Sequence, residues 1–137
     1  MANKVSRAGE YLNLAGVDIG AILNLSGDQV IRSLFAYDGT AVQVSFANMT
    51  ALEEAYLSNA PVTSISIAGA TSLATLDCNG CALPEDQVDA VLAALDTMGV
   101  EAGEVDLSGG TNAIPSAAGL TSKSNLEGKG WTVTVNS

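Results

Sequence analysis

Leu73-Ala74-Thr75-Leu76-Asp77-Cys78-Asn79-Gly80-Cys81-Ala82-Leu83 contains both cysteines of the chain, three positions apart. Taken alone, Cys-x-x-Cys suits a redox or metal motif. Its surroundings favour a different reading. The middle of the stretch, Leu76 to Gly80, runs apolar, polar, apolar, polar, turn residue. The same figure begins again at Leu12, Leu34, Ala55, Val105 and Val133, so that successive members along the chain lie 22, 21, 21, 29 and 28 residues apart. A second series begins at Leu23, Val44 and Ile65, 21 residues apart, about halfway between members of the first. Self-similarity at this period is the mark of stacked repeats.

The physical reading is an α/β solenoid. A short strand alternates inward and outward side chains, so the first and third residues of each figure enter a core and their neighbours face water. One coil cannot bury its apolar edge, but stacked coils join those edges into one core. A coil of about 21 residues holding two strands turns twice, and Gly, Asn or Asp at the end of each figure suits those turns. The first half is therefore expected to form two facing parallel sheets. In the C-terminal half the longer period adds helices. Val88, Val91, Leu92, Leu95 and Met98 fall on one helical face, with Pro84 at the start, Glu85 and Asp86 at the positive end and Gly99 as C-terminal cap. A weaker helix is expected from Pro115 to Gly128 or Gly130, followed by a last strand over Trp131 to Val135. The expected organisation is an N-terminal arm, residues 1–8, and a single solenoid domain, residues 9–137.

Composition removes several function classes. Five basic against fifteen acidic residues leave a net charge of −10, a field that repels phosphate and disfavours nucleic acid or anionic membrane as partners. The chain has no histidine, so Ser-His-Asp, Cys-His and histidine-zinc chemistry are excluded. No apolar run is long enough to span a bilayer, and Glu10 and Asp18 interrupt any signal-like stretch near the N-terminus. Both cysteines occupy core-directed places, where a thiol acts as a small apolar side chain. No metal and no cofactor is expected.

With these residues in view, LATLDCNGCAL is similar to the leucine-rich-repeat pattern L-x-x-L-x-L-x-x-N/C-x-L, with Leu73, Leu76, Cys78, Cys81 and Leu83 at the five fixed places. Cys78 stands where leucine is usual. The first half resembles short 21-residue repeats of bacterial surface proteins. The C-terminal part, through VDLSGGTNAIPSAAGL and LEGKGWTVTV, resembles C-terminal repeat regions of bacterial and bacteriophage surface or virion proteins. The resemblance spans residues 9–137. It implies leucine-rich-repeat-like coils, two-sheeted in the first half and strand-helix in the second. It also implies a non-enzymatic structural or interaction protein.

Candidate contact residues follow from the outward places of the first series. Phe35, Tyr37 and Tyr56 come side by side there, and Asp77 and Asp106 continue the row on later coils. Aromatics are only 4% of the chain, so their gathering on one strand surface marks a contact patch. The carboxylates read first as a solvated acidic face, because a strand surface gives too little desolvation for acid/base work. Lys4 and Arg7 make the N-terminal arm basic, suited to an acidic neighbouring subunit. The functional expectation is a bacteriophage virion surface component, assembled in the host cytoplasm and bound to other virion subunits or to copies of itself. The alternative is an adhesion or ligand-binding module at the bacterial cell surface.

Overall fold

The computed structural model describes residues 6–8 and 10–137. Among the described residues, ten short strands and two helices follow one another: β1 (Ser6–Ala8), β2 (Tyr11–Asn13), β3 (Ile22–Asn24), β4 (Ser33–Phe35), β5 (Gln43–Ser45), β6 (Glu54–Tyr56), β7 (Ser64–Ser66), β8 (Thr75–Asp77), α1 (Glu85–Met98), β9 (Glu104–Leu107), α2 (Ala117–Gly128) and β10 (Thr132–Val135). Alternate strands enter different sheets. A seven-stranded sheet runs β1-β2-β4-β6-β8-β9-β10, and a three-stranded sheet runs β3-β5-β7. Every pairing is parallel except β1 with β2. After β7 the second sheet gives way to α1 and then α2. This is a solenoid-like α/β fold with two sheets early and strand-helix units late.

Register follows the repeated figure. Leu12 pairs with Leu34, Leu34 with Ala55, Ala55 with Leu76, Leu76 with Val105 and Val105 with Val133. In the smaller sheet Leu23 pairs with Val44 and Val44 with Ile65. A slip of one residue would turn each apolar set outward, so burial holds this register. The inward residues Leu34, Ala55, Leu76, Cys78, Val105 and Leu107 are buried, within one core that also takes Val88, Val91, Leu92 and Leu95 from α1. Ala36 and Ala55 are small for their places. The fully buried Phe46 belongs to the same core.

Each strand from β2 to β9 is followed by a left-handed residue that turns the coil. Gly16, Asp38, Asn59, Gly80 and Gly109 close the figures of the large sheet with positive φ, and Gly27, Asn48 and Gly69 those of the small one. At Gly80 the need is steric as well: a Cβ there would lie 2.6 Å from Asn59 Oδ1 on the preceding coil. The cross-coil ladder continues through these turns, with Asn59 N donating to Asn79 O and Gly80 N to Ser108 O. Backbone polar groups are thus satisfied from coil to coil.

Helix α1 buries Val88, Val91, Leu92 and Leu95 and ends on Gly99 in the left-handed conformation. Helix α2 begins one turn-residue later than the proline signal: Ser116, not Pro115, is its N-cap, and its hydroxyl accepts from Ala118 N and Gly119 N. The helices meet through Ser116, whose N donates to Asp89 Oδ1 at 3.0 Å, and through Lys129, whose ammonium lies 2.6 Å from Asp96 Oδ1. Trp131 closes the last turn from within, its Nε1 donating to Val100 O at 2.7 Å.

At the N-terminal end, residues 6–8 of the segment expected as an arm form β1, an antiparallel strand that places Arg7 opposite Leu12. That strand covers the edge of β2. Lys4 lies outside the described residues.

Candidate interaction surface

The outward side of the large sheet carries the residues singled out above. Strand register sets Asn13, Phe35, Tyr56, Asp77, Asp106 and Thr134 in one row across six coils. A neighbouring row holds Tyr11, Ser33, Glu54, Thr75, Glu104 and Thr132. Parallel strands lie about 4.8 Å apart, and the rings repeat at that spacing. Tyr11 and Phe35 have centroids 4.9 Å apart at 36°, while Phe35 and Tyr56 lie 5.0 Å apart and nearly parallel at 12°. Phe35 and Tyr56 therefore stack along the solenoid axis, and Tyr11 meets Phe35 at a tilt from the neighbouring row. Tyr11 is 39% and Tyr37 38% exposed, whereas Phe35 and Tyr56 are half-buried by their stack. Tyr37 stands two residues beyond Phe35 and is not one of the stacked rings.

Carboxylates take over where the rings stop. Asp77 and Asp106 are direct register partners, with Glu54 and Glu104 diagonal to Asp77 in the next row. Each aspartate also serves its own turn. Asp77 Oδ1 accepts from Asn79 N at 2.9 Å, and Asp106 Oδ1 accepts from Ser108 N at 2.9 Å and from Ser108 Oγ at 2.6 Å. Asn13 does the same for Ala15 N. Such side-chain turns are ordinary work for Asn and Asp. Phe35 and Tyr56, at the same place in their coils, cannot accept this hydrogen bond.

Glu54 links the rings to the acidic end, a role that spacing alone did not reveal. It accepts from Ser33 Oγ at 2.8 Å and from the Tyr56 hydroxyl at 3.0 Å. Burial first, then this hydrogen bond and the negative field of Glu54, Glu104 and Asp77, push the Tyr56 phenol above its ordinary value. The basic side chains with described contacts are engaged elsewhere: Arg32 with Glu53 and Glu10, Lys123 with Glu127, and Lys129 with Asp96. Arg32 sits at the margin of the face, one residue before β4.

The cysteines are free and buried. Cys81 Sγ donates to Leu57 O at 3.2 Å, and Cys81 N donates to Cys78 O, closing the turn between them. The hydrogen bond with Cys81, burial and nearby carboxylates push the Cys78 thiol well up, while the same hydrogen bond lowers that of Cys81; both sulfurs are buried, whereas a redox motif needs an accessible thiolate. Among the described residues no group of three or more Cys, Asp or Glu is placed to hold a metal ion. No described helix is long and apolar enough to cross a membrane.

The sequence reading missed one buried polar residue, Asn112. Its Oδ1 accepts from Leu83 N at 2.9 Å, and its Nδ2 donates to Cys78 O at 2.8 Å and Ser108 O at 3.2 Å. Asn136 repeats the device one coil later, donating to Asn112 O at 2.8 Å. These are structural clamps between coils.

No protein-family model matches this chain, and no significant match joins it to a curated protein or to a solved structure.

Proposed function

We propose that this chain is a non-enzymatic interaction module, a leucine-rich-repeat-like solenoid that offers the outer face of its seven-stranded sheet to a protein partner. The observation that carries the reading is the ring stack Tyr11-Phe35-Tyr56 running into Asp77 and Asp106 on one continuous surface. Aromatic side chains grouped on a rigid surface are typical binding anchors. Phe35 and Tyr56 also forgo the turn hydrogen bond that Asn13, Asp77 and Asp106 make at the same place, so contact with a partner is the use that accounts for them. The setting we propose, on the sequence resemblance, is the surface of a bacteriophage virion, with other subunits or copies of this chain as neighbours. Co-sedimentation of the wild-type chain, but not of Phe35→Ser, with assembled particles is the expected result. Equal co-sedimentation of both, or none with the wild type, would defeat the reading.

Exposed Tyr37 beside the stack supports a second reading, an adhesion or ligand-binding module that holds a protein or glycan against Phe35, Tyr37 and Tyr56, with Asp77 and Asp106 accepting hydroxyl hydrogen bonds. It predicts loss of glycan binding in Tyr37→Ala with folding unchanged.

A further inference from the structure

The ring stack has a direction and an end. Phe35 and Tyr56 lie nearly parallel at the strand spacing, so one face of the Tyr56 ring is covered by Phe35 and the other is turned along the axis toward the next coil. The register partner of Tyr56 on that coil is Asp77, and that of Asp77 is Asp106. A planar group laid over Asp77 would continue the stack by one step. Around that position stand Tyr56, Asp106, Glu54 and Glu104.

The charge there is unbalanced. Like charges directly opposite on neighbouring strands destabilise a sheet, yet Asp77 and Asp106 face each other in register. Each carboxylate accepts hydrogen bonds from its own turn, which neutralises no charge. The described ion pairs of the chain lie off this row. A cation from outside would relieve the repulsion.

We infer that this surface binds an arginine side chain carried by an extended, basic segment of a protein partner. The inference rests on the proposal that this face is the interaction surface. A guanidinium is planar, stacks on aromatic faces and pairs with carboxylates through two parallel hydrogen bonds. Stacked on Tyr56, it presents its edge donors to Asp77 and Asp106. A lysine ammonium satisfies the charge but not the stack, and a neutral sugar satisfies the stack but not the charge.

The test uses the whole chain and three fluorescein-labelled heptapeptides in which two central arginines are kept, replaced by lysine or replaced by citrulline. Fluorescence anisotropy is measured at physiological ionic strength, where exposed charges more than about 8 Å apart are largely screened. The arginine peptide is expected to bind about tenfold more tightly than the lysine peptide, and the citrulline peptide not to saturate, because only arginine joins stacking to charge. Tyr56→Leu should remove most of the preference for arginine over lysine. Asp77→Asn with Asp106→Asn should abolish binding, while Glu85→Gln with Asp86→Asn on α1 removes as much charge and should leave it unchanged. Circular dichroism and the urea midpoint confirm folding of each variant. Equal binding of arginine and lysine peptides, or an arginine preference that survives Tyr56→Leu, would overturn the inference. If no cationic peptide binds but a neutral oligosaccharide does, and Tyr56→Leu abolishes that, arginine is refuted and the face stands. If none of these probes binds and Phe35→Ser leaves co-sedimentation unchanged, both fall.

Discussion

Replacing Asn112 by alanine tests how the coils are clamped. The amide is 5% exposed and Leu83 is fully buried, so water does not readily replace what is removed. Three hydrogen bonds are lost, but they are not equal. Cys78 O keeps the Cys81 N–H and Ser108 O keeps the Gly80 N–H, whereas Leu83 N has Asn112 Oδ1 as its partner. An orphaned buried donor costs about 1–3 kcal/mol and each lost but compensated bond about 0.5–1 kcal/mol, for a total of about 3 kcal/mol. The assay is urea unfolding, read as a fall in midpoint at constant slope. Asn112→Asp sharpens it. That carboxylate keeps the acceptor for Leu83 N but sets its second oxygen against two carbonyls, so its folded pKa is raised above the unfolded value. The variant should be weaker than wild type at neutral pH and recover as pH falls through that raised pKa. A loss below about 0.5 kcal/mol for Asn112→Ala, or an Asp variant insensitive to pH, would refute the clamp.

Four further outcomes are expected. Leu76→Ala, at the centre of the stacked core, should cost about 2–5 kcal/mol in urea unfolding through the cavity it leaves. The thiols of Cys78 and Cys81 should react with Ellman's reagent only as fast as the chain unfolds, because both are buried; rapid labelling of native protein would place a thiol at the surface. Hydrogen bonds from Lys129 and Asn125 hold the Asp96 carboxyl below its ordinary value, so its contribution is present at neutral pH and lost as pH falls through that depressed pKa. Melting temperatures of wild type and Asp96→Asn should therefore differ at pH 7 and converge in acid. Tyr56→Asn should restore a turn acceptor while losing ring stacking worth about 0.5–1.5 kcal/mol, leaving stability within about 1 kcal/mol of wild type; a loss above about 3 kcal/mol would make the ring a core element and undo the interaction reading.

The coil plan was readable in the sequence because burial and turn geometry both act at fixed places in each figure. Leu12, Leu34, Ala55, Leu76, Val105 and Val133 align in register because any other alignment would expose them. Gly80 and Asn59 mark turns because a left-handed residue is needed there. Helix α1 was legible from its apolar face, and α2 less sharply, since Gly119 and Leu126 are its buried positions and the capping serine follows the proline. The pairing of β1 was not legible. Ser6-Arg7-Ala8 has no apolar alternation, and its place comes from the open edge of β2, a tertiary cause. Asn112 escaped for a similar reason: its partners Cys78 and Leu83 lie a coil away, and an isolated Asn between turns gives no periodic signal.

The row of candidate residues was readable by position, but its meaning depends on a contrast visible only with side chains in place. At one place in the coil, Asn13, Asp77 and Asp106 accept a backbone N–H two residues on, and local chemistry accounts for that bond though not for the opposed charges of the two aspartates. Phe35 and Tyr56 occupy that place without making the bond, and Asp77 and Asp106 stand opposed with the described ion pairs of the chain lying elsewhere. A fold selected for stability alone would favour Asn at all five places, since Asn serves the turn and carries no charge. Departures from the locally best residue gather where function opposes stability. Here they form an unbroken line from Phe35 to Asp106, and that continuity, more than any single ring or carboxylate, is what supports the proposal of an interaction surface on this face.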